Sequence, residues 1–139
     1  MSLRVPVFLL LFFLATPALA SNISVNIDIS GQTMTVRIDG AAKYHWPVST
    51  GRRGFGTPTG YYRPIRMARV HYSRKYHNSP MPHAIFFRGG YAIHGTEYVG
   101  SLGRKASHGC VRLRPANAAT LFRLVKQNGA ENTAISVHG

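Results

Sequence analysis

Strict alternation of β-branched and polar residues constrains this chain more than any other feature. Ile23, Val25, Ile27 and Ile29 alternate with polar residues, Ser30-Gly31 interrupts, and Met34, Val36 and Ile38 alternate again up to Asp39-Gly40. A period of two puts every second side chain on one sheet face, so both runs are predicted to be antiparallel strands joined by hairpins. Tyr44, Trp46 and Val48 continue the period, but Pro47 has no N–H to donate and predicts an edge strand or an early end.

Other segments follow different rules. Ser49 to Gly60 is dense in Gly, Thr and Pro and reads as a loop; it lacks the glycine-lysine-hydroxyl ending of a phosphate-cradling motif. Tyr61 to Tyr72 mixes β-formers with arginines and reads as one or two partly exposed strands. Ala84 to Phe87 and Tyr91 to His94 flank Arg88-Gly89-Gly90, which predicts a hairpin buried on both faces, with His94 at a strand end. A helix is predicted from Pro115, with Ala118, Leu121, Phe122 and Val125 on one face and Gly129 as its cap. Ala134 to Val137 reads as a last strand. The expected fold is mainly β, a sandwich or partly open barrel of short strands with one packed C-terminal α-helix and arginines on the edge strands.

The first twenty residues read separately. Arg4, the apolar run Val5 to Ala15 and Ala18-Leu19-Ala20 make a secretory signal peptide, with cleavage expected after Ala20. The run is shorter than the roughly 20 apolar residues that span a bilayer. No cysteine near the cleavage site suggests a lipid anchor. Residues 21–139 then form one domain, in the periplasm or cell wall. Without Arg4, 16 basic residues face four acids, Asp28, Asp39, Glu97 and Glu131, a formal charge of +12. This balance favours anionic cell-envelope polymers. Export and the scattered arginines, which lack the aromatic spacing of a single-strand platform, argue against nucleic acid. The sequence leaves oligomeric state open and calls for no cofactor.

Exported chains meet oxidising conditions, yet this one has a single cysteine, Cys110, with no internal partner. It sits in Ser107-His108-Gly109-Cys110-Val111-Arg112-Leu113, which follows Ala92-Ile93-His94-Gly95-Thr96 after a loop. Cations and inward-pointing N–H groups favour a thiolate, and Arg112, Lys105, Arg104 and two histidines offer the cations. His94 is placed as the base. Gly109 is expected to let the backbone approach a substrate carbonyl, with nearby amides forming an oxyanion hole. His108 is expected to shape the site. For a bare His-Gly-Cys triplet, a glycine turn with a buried cysteine is a fair alternative, as is a zinc site of His94, His108 and Cys110, although the spacing matches no recognised ligand pattern.

The longer pattern changes the balance. His94-Gly95-Thr96 with Ser107 to Leu113 closely resembles the catalytic signature of YkuD-like L,D-transpeptidases, and Thr57-Pro58-Thr59-Gly60, Met81-Pro82 and Ala84-Ile85-Phe86-Phe87 also resemble that family. The resemblance implies a mostly β fold and a Cys-His pair whose imidazole is oriented by a backbone carbonyl. It implies that Cys110 attacks a peptidoglycan stem tetrapeptide, releases D-alanine and passes the acyl group to an amine. Cys110, His94, His108 and Gly109 are the expected catalytic set; Arg112, Ser107, Thr96 and Gly95 are expected to meet substrate. His83 departs from the aromatic residue often found at its position. Tyr61, Tyr62 and Tyr98 fit either a peptide groove or ordinary packing. The rival readings are an L,D-carboxypeptidase that uses water and a non-catalytic, basic wall-binding protein.

Overall fold

The alternating runs become strands because each buries one row of side chains. In a computed structural model, which describes residues 2, 5–6 and 9–139, β1 (Ile23–Asp28) buries Ile23, Val25 and Ile27, and β2 (Thr33–Ile38) buries Met34 and Val36. Their partners Ser24, Asn26, Thr33 and Thr35 turn to the other face. β3 (Ala41–Pro47) pairs only with β2 and ends at Pro47, as an edge strand should.

Two sheets result. The first has the order β3-β2-β1-β11-β4, where β4 is Gly60–Tyr62 and β11 is Thr133–His138. The last strand lies inside this sheet, parallel to β1 with Val25 opposite Ile135, and antiparallel to β4. Alternation alone suggested antiparallel hairpins; the β1–β11 pair joins opposite ends of the fold. The second sheet has the order β10-β9-β8-β5, with β5 at Arg66–Ala68, β8 at Ala84–Arg88, β9 at Tyr91–Gly95 and β10 at Val111–Leu113. A small hairpin pairs β6 (Tyr72–Ser73) with β7 (Ser79–Pro80). Arg66 and Arg112 lie on edge strands, but Arg37 and Arg88 lie on the inner strands β2 and β8, so only part of the arginine expectation holds.

The sheets form an open sandwich with no closed barrel. Between them lie Ile23, Val25, Ile27, Met34, Val36, Ile85, Phe87, Ile93, Val111, Leu113, Ile135 and Val137. The helix α1 (Pro115–Asn128) starts with proline at its first turn, where the missing N–H costs nothing. It adds Ala118, Leu121, Phe122 and Val125 to the same core and packs mainly against β9. Each fully buried Leu or Ile contributes about 1.5–3 kcal/mol. Gly129 ends the helix at φ 93°, a backbone angle that side chains disfavour.

The described residues before Ser21 form no strand or helix, and their apolar side chains face solvent: Phe13 is 93% exposed and Leu19 95%. Arg4, with Val7 and Phe8 of the apolar run, lies outside the described residues. No helix among the described residues is long and apolar enough to cross a membrane.

Candidate active site

The second sheet has two unlike faces. Ile85, Phe87, Ile93, Val111 and Leu113 point into the core between the sheets. Alternation sends the intervening residues to the opposite face, where Ala84, Phe86 and Ala92 form a small cluster with Met81, and Cys110 packs against it. This explains why β8 and β9 read as apolar on both faces.

Parallel pairing of β9 and β10 sets the chemistry. Val111 lies opposite Ile93, and Arg112 opposite His94. Cys110, two residues before Arg112, therefore shares the face of Arg112 and His94, and is the diagonal neighbour of His94. On the other side Arg112 exchanges backbone hydrogen bonds with Ser49, its N–H donating at 2.9 Å and its carbonyl accepting at 3.0 Å. β10 is thus held from both sides, although it has only three residues.

The turn before Cys110 is braced from within. Ser107 Oγ donates to the Cys110 carbonyl at 2.6 Å and accepts the Gly109 N–H at 3.0 Å. Thr57 Oγ1 donates to the Gly109 carbonyl at 2.8 Å and accepts the Gly51 N–H at 2.9 Å, which ties the 49–60 loop to this turn. Ser107 is fully buried, does not line the cleft and braces the turn. Gly109 is also buried behind the cleft: at φ +120°, a Cβ there would stand 2.5 Å from the Tyr91 ring, and its N–H already serves Ser107. Close approach of Tyr91 requires this glycine.

His94 is 6% exposed, and its Nδ1 lies 2.7 Å from the Gly95 carbonyl. A carbonyl only accepts, so Nδ1 carries the proton and Nε2 is left with a free lone pair. Burial is the main force on its pKa, lowering it to about 4; the Gly95 carbonyl opposes this, while Arg112 and His71 reinforce it. Burial likewise pushes the Cys110 thiol up, against weaker pulls from the Ala92 N–H and the Arg112 guanidinium. Near neutral pH the pair is therefore a thiol beside a neutral imidazole. The expected set of cations shrinks accordingly. Arg112 borders the cleft, whereas Arg104 and Lys105 do not, and His94 carries no charge.

The cleft encloses about 190 Å³. Cys110, His94, Arg112 and His108 line it with Gly95 and Thr96, and the β6–β7 hairpin contributes Ser73, Tyr76, Ser79 and Pro80. His108 lies flat on Tyr76, with centroids 4.1 Å apart, and edge-on to Phe55 at 5.0 Å, which fixes it as a wall. Burial and the charge of Arg52 lower its pKa. Thr96 is nearly buried and accepts the Tyr98 N–H. Tyr98 lines the cleft and is 72% exposed. Tyr61 and Tyr62 border a larger hollow of about 470 Å³ on the outer side of the first sheet, lined by neither cysteine nor histidine. His83 lies outside the cleft, edge-on to Phe122. Among the described residues, no three His, Cys, Asp or Glu side chains gather as a metal site.

Sequence reasoning missed Tyr76, Glu97 and the bracing hydroxyl of Thr57. Thr57 stood in a segment read only as a loop and for its family resemblance, and Tyr76 lies where no periodicity marks a strand. Glu97, the one acid lining the cleft, follows the His94 motif directly and was legible only as charge.

The L,D-transpeptidase catalytic domain family, YkuD, matches residues 22–137. An L,D-transpeptidase from Mycobacterium smegmatis is similar in structure, with 27% identity and a TM-score of 0.76, over 86% of this chain and 59% of that one. The LD transpeptidase LdtMt1, in complex with imipenem, gives 27% and 0.74 over 85% and 59%. An L,D-transpeptidase (Yku) from Stackebrandtia nassauensis gives 26% and 0.71 over 85% and 56%. The present chain thus spans less than two thirds of the length of these proteins. No curated protein matches it in sequence.

Proposed function

Because the chain belongs to the YkuD family of L,D-transpeptidase catalytic domains, we propose that it is a cysteine acyltransferase acting on peptidoglycan stem peptides. The observation that carries this reading is the β9–β10 register, which puts Cys110, His94 and Arg112 on one face of one sheet, in one cleft.

The reaction starts from the neutral pair. As Cys110 Sγ attacks the carbonyl between the third and fourth residues of a stem tetrapeptide, its proton passes to His94 Nε2. The imidazolium that forms is held by the Gly95 carbonyl, with no carboxylate required. With the Gly109 N–H already bonded to Ser107, the Cys110 N–H is the donor of this turn assigned to the oxyanion. Collapse breaks the C–N bond, His94 returns the proton to the amine of D-alanine, and an S-acyl enzyme remains. An amine acceptor then attacks the thioester, losing its proton to His94 and restoring the thiol. Arg112 holds a donor carboxylate beside the thiol. Thr96, Gly95 and His108 shape the cleft around the peptide.

The same reading places the protein outside the inner membrane. Residues 1–20 act as a cleaved signal, in keeping with the exposed apolar side chains before Ser21. The 16 basic residues of the remaining chain tether it to anionic envelope polymers.

Incubation with purified tetrapeptide muropeptides, followed by mass analysis, tests the activity. Loss of D-alanine with formation of cross-linked dimers is expected, and Cys110→Ser should abolish both. Tripeptide as the sole product would make water the acceptor and the protein an L,D-carboxypeptidase. Unchanged tetrapeptide would leave a non-catalytic wall-binding protein.

A further inference from the structure

A second groove, of about 350 Å³, lies between α1 and the segment that follows β5, and shares no residue with the active-site cleft. Arg69, Arg123 and Lys126 border it, Phe122 and Ala119 line it, and no carboxylate does. Arg123 and Lys126 are one helical turn apart, so their charges repel, and Arg69 adds a third. Nothing in the groove lining offsets that repulsion. The Gln127 amide and the His83 ring complete the border.

His83 occupies a costly backbone position. It is a non-glycine residue at φ +52°, its N–H donates to the Arg69 carbonyl at 2.8 Å, and its ring stands edge-on to Phe122 at 5.4 Å. Its geometry joins the strand-side cation to the helix side of the groove. Three cationic side chains and two further polar side chains around apolar carbon suit a tetrahedral anion carried on a chain.

We propose that this groove binds a phosphodiester segment of an anionic envelope polymer. A recess accepts a chain, whereas a membrane surface would call for a protruding apolar face between the cations. The inference rests on the electrostatic tether of the proposed function and is independent of acyl transfer. Net positive charge draws polyanions to the whole surface; the groove says where one is held.

The test is an NMR titration of residues 21–139 with soluble poly(glycerol phosphate) at fixed ionic strength. Shifts should concentrate at Arg69, His83, Arg123, Lys126 and Gln127. The double variant Arg123→Gln, Lys126→Gln should bind about tenfold or more weakly, while Lys43→Gln on β3 stays within about twofold of wild type. Both variants replace exposed side chains, and an unchanged melting temperature and unchanged acylation of Cys110 would show that the fold is intact. Wild-type binding that the double variant retains in full, or shifts spread evenly over Arg37, Arg52 and Arg74, would overturn the groove but leave the tether. No polymer binding at low salt would overturn both. Binding of phosphatidylglycerol vesicles through these residues, in place of the polymer, would overturn the polymer assignment.

Discussion

At the scale of single residues, the decisive property is that His94 stays neutral. Its pKa falls from 6.5 to about 4 on folding. Between those values the unfolded chain takes up a proton that the native chain refuses. Stability should therefore fall as pH drops from 6.5 toward 4, by up to about 3 kcal/mol, and be untouched above that window. His94→Gln should flatten most of this slope in melting temperature against pH, leaving a smaller part from His108, whose pKa is also lowered. Acylation should hold its rate to well below pH 6; an acid limb near 6.5 would mean the base is another group. Thr57 offers a second test. Thr57→Val keeps the volume but leaves the Gly51 N–H and the Gly109 carbonyl unpaired, at about 1–3 kcal/mol for each orphaned group. Urea unfolding should show that loss, and acylation should slow because the turn before Cys110 is looser.

Elements explain what could be read beforehand. β1, β2, β8, β9 and α1 were legible because their signal is local: alternation in Ile23–Asp28, a 3.6-residue period in Ala118, Leu121, Phe122 and Val125. β10 was not, since three residues, Val111–Leu113, show no period, and its pairing with β9 joins segments across the intervening loop. β11 was legible as a strand, Ala134 to Val137, but its parallel pairing beside β1 was not. Cys110 and His94 were legible as reactive types, and the family resemblance joined them; their shared sheet face came only with the register. One element also carries a consequence for maturation. The Ser21 N–H donates to Asn128 Oδ1 at 2.8 Å, at the last residue of α1. Cleavage after Ala20 would turn that N–H into an ammonium at a helix C-terminus, where a positive charge is worth about 0.3–1 kcal/mol. Asn128→Ala should therefore destabilise a chain starting at Ser21 more than its Nα-acetylated form, as measured by urea unfolding. Equal losses would show that the terminal charge does not matter there.

For the whole molecule, one sheet serves two purposes: its inner face closes the core with α1 and the first sheet, and its outer face presents the thiol, the imidazole and Arg112. Charge was legible in the composition, but the groove at Arg69, Arg123 and Lys126 was not, because it joins a loop to a helix face far away in sequence. The reason residue 109 is a glycine was hidden for a similar reason, since the ring of Tyr91 beneath it is a tertiary neighbour. The central claim, that Cys110 and His94 act together on an acyl carbon, can be tested by mass spectrometry. A carbapenem presents a strained acyl centre, and the similar LdtMt1 structure is a complex with imipenem. Intact mass should rise by one drug molecule on the purified protein, with peptide mapping placing the adduct on Cys110. Cys110→Ala should remove the adduct, and His94→Ala should slow its formation by about a hundredfold or more. Folded protein that takes no drug, while a general thiol reagent does reach Cys110, would contradict the account.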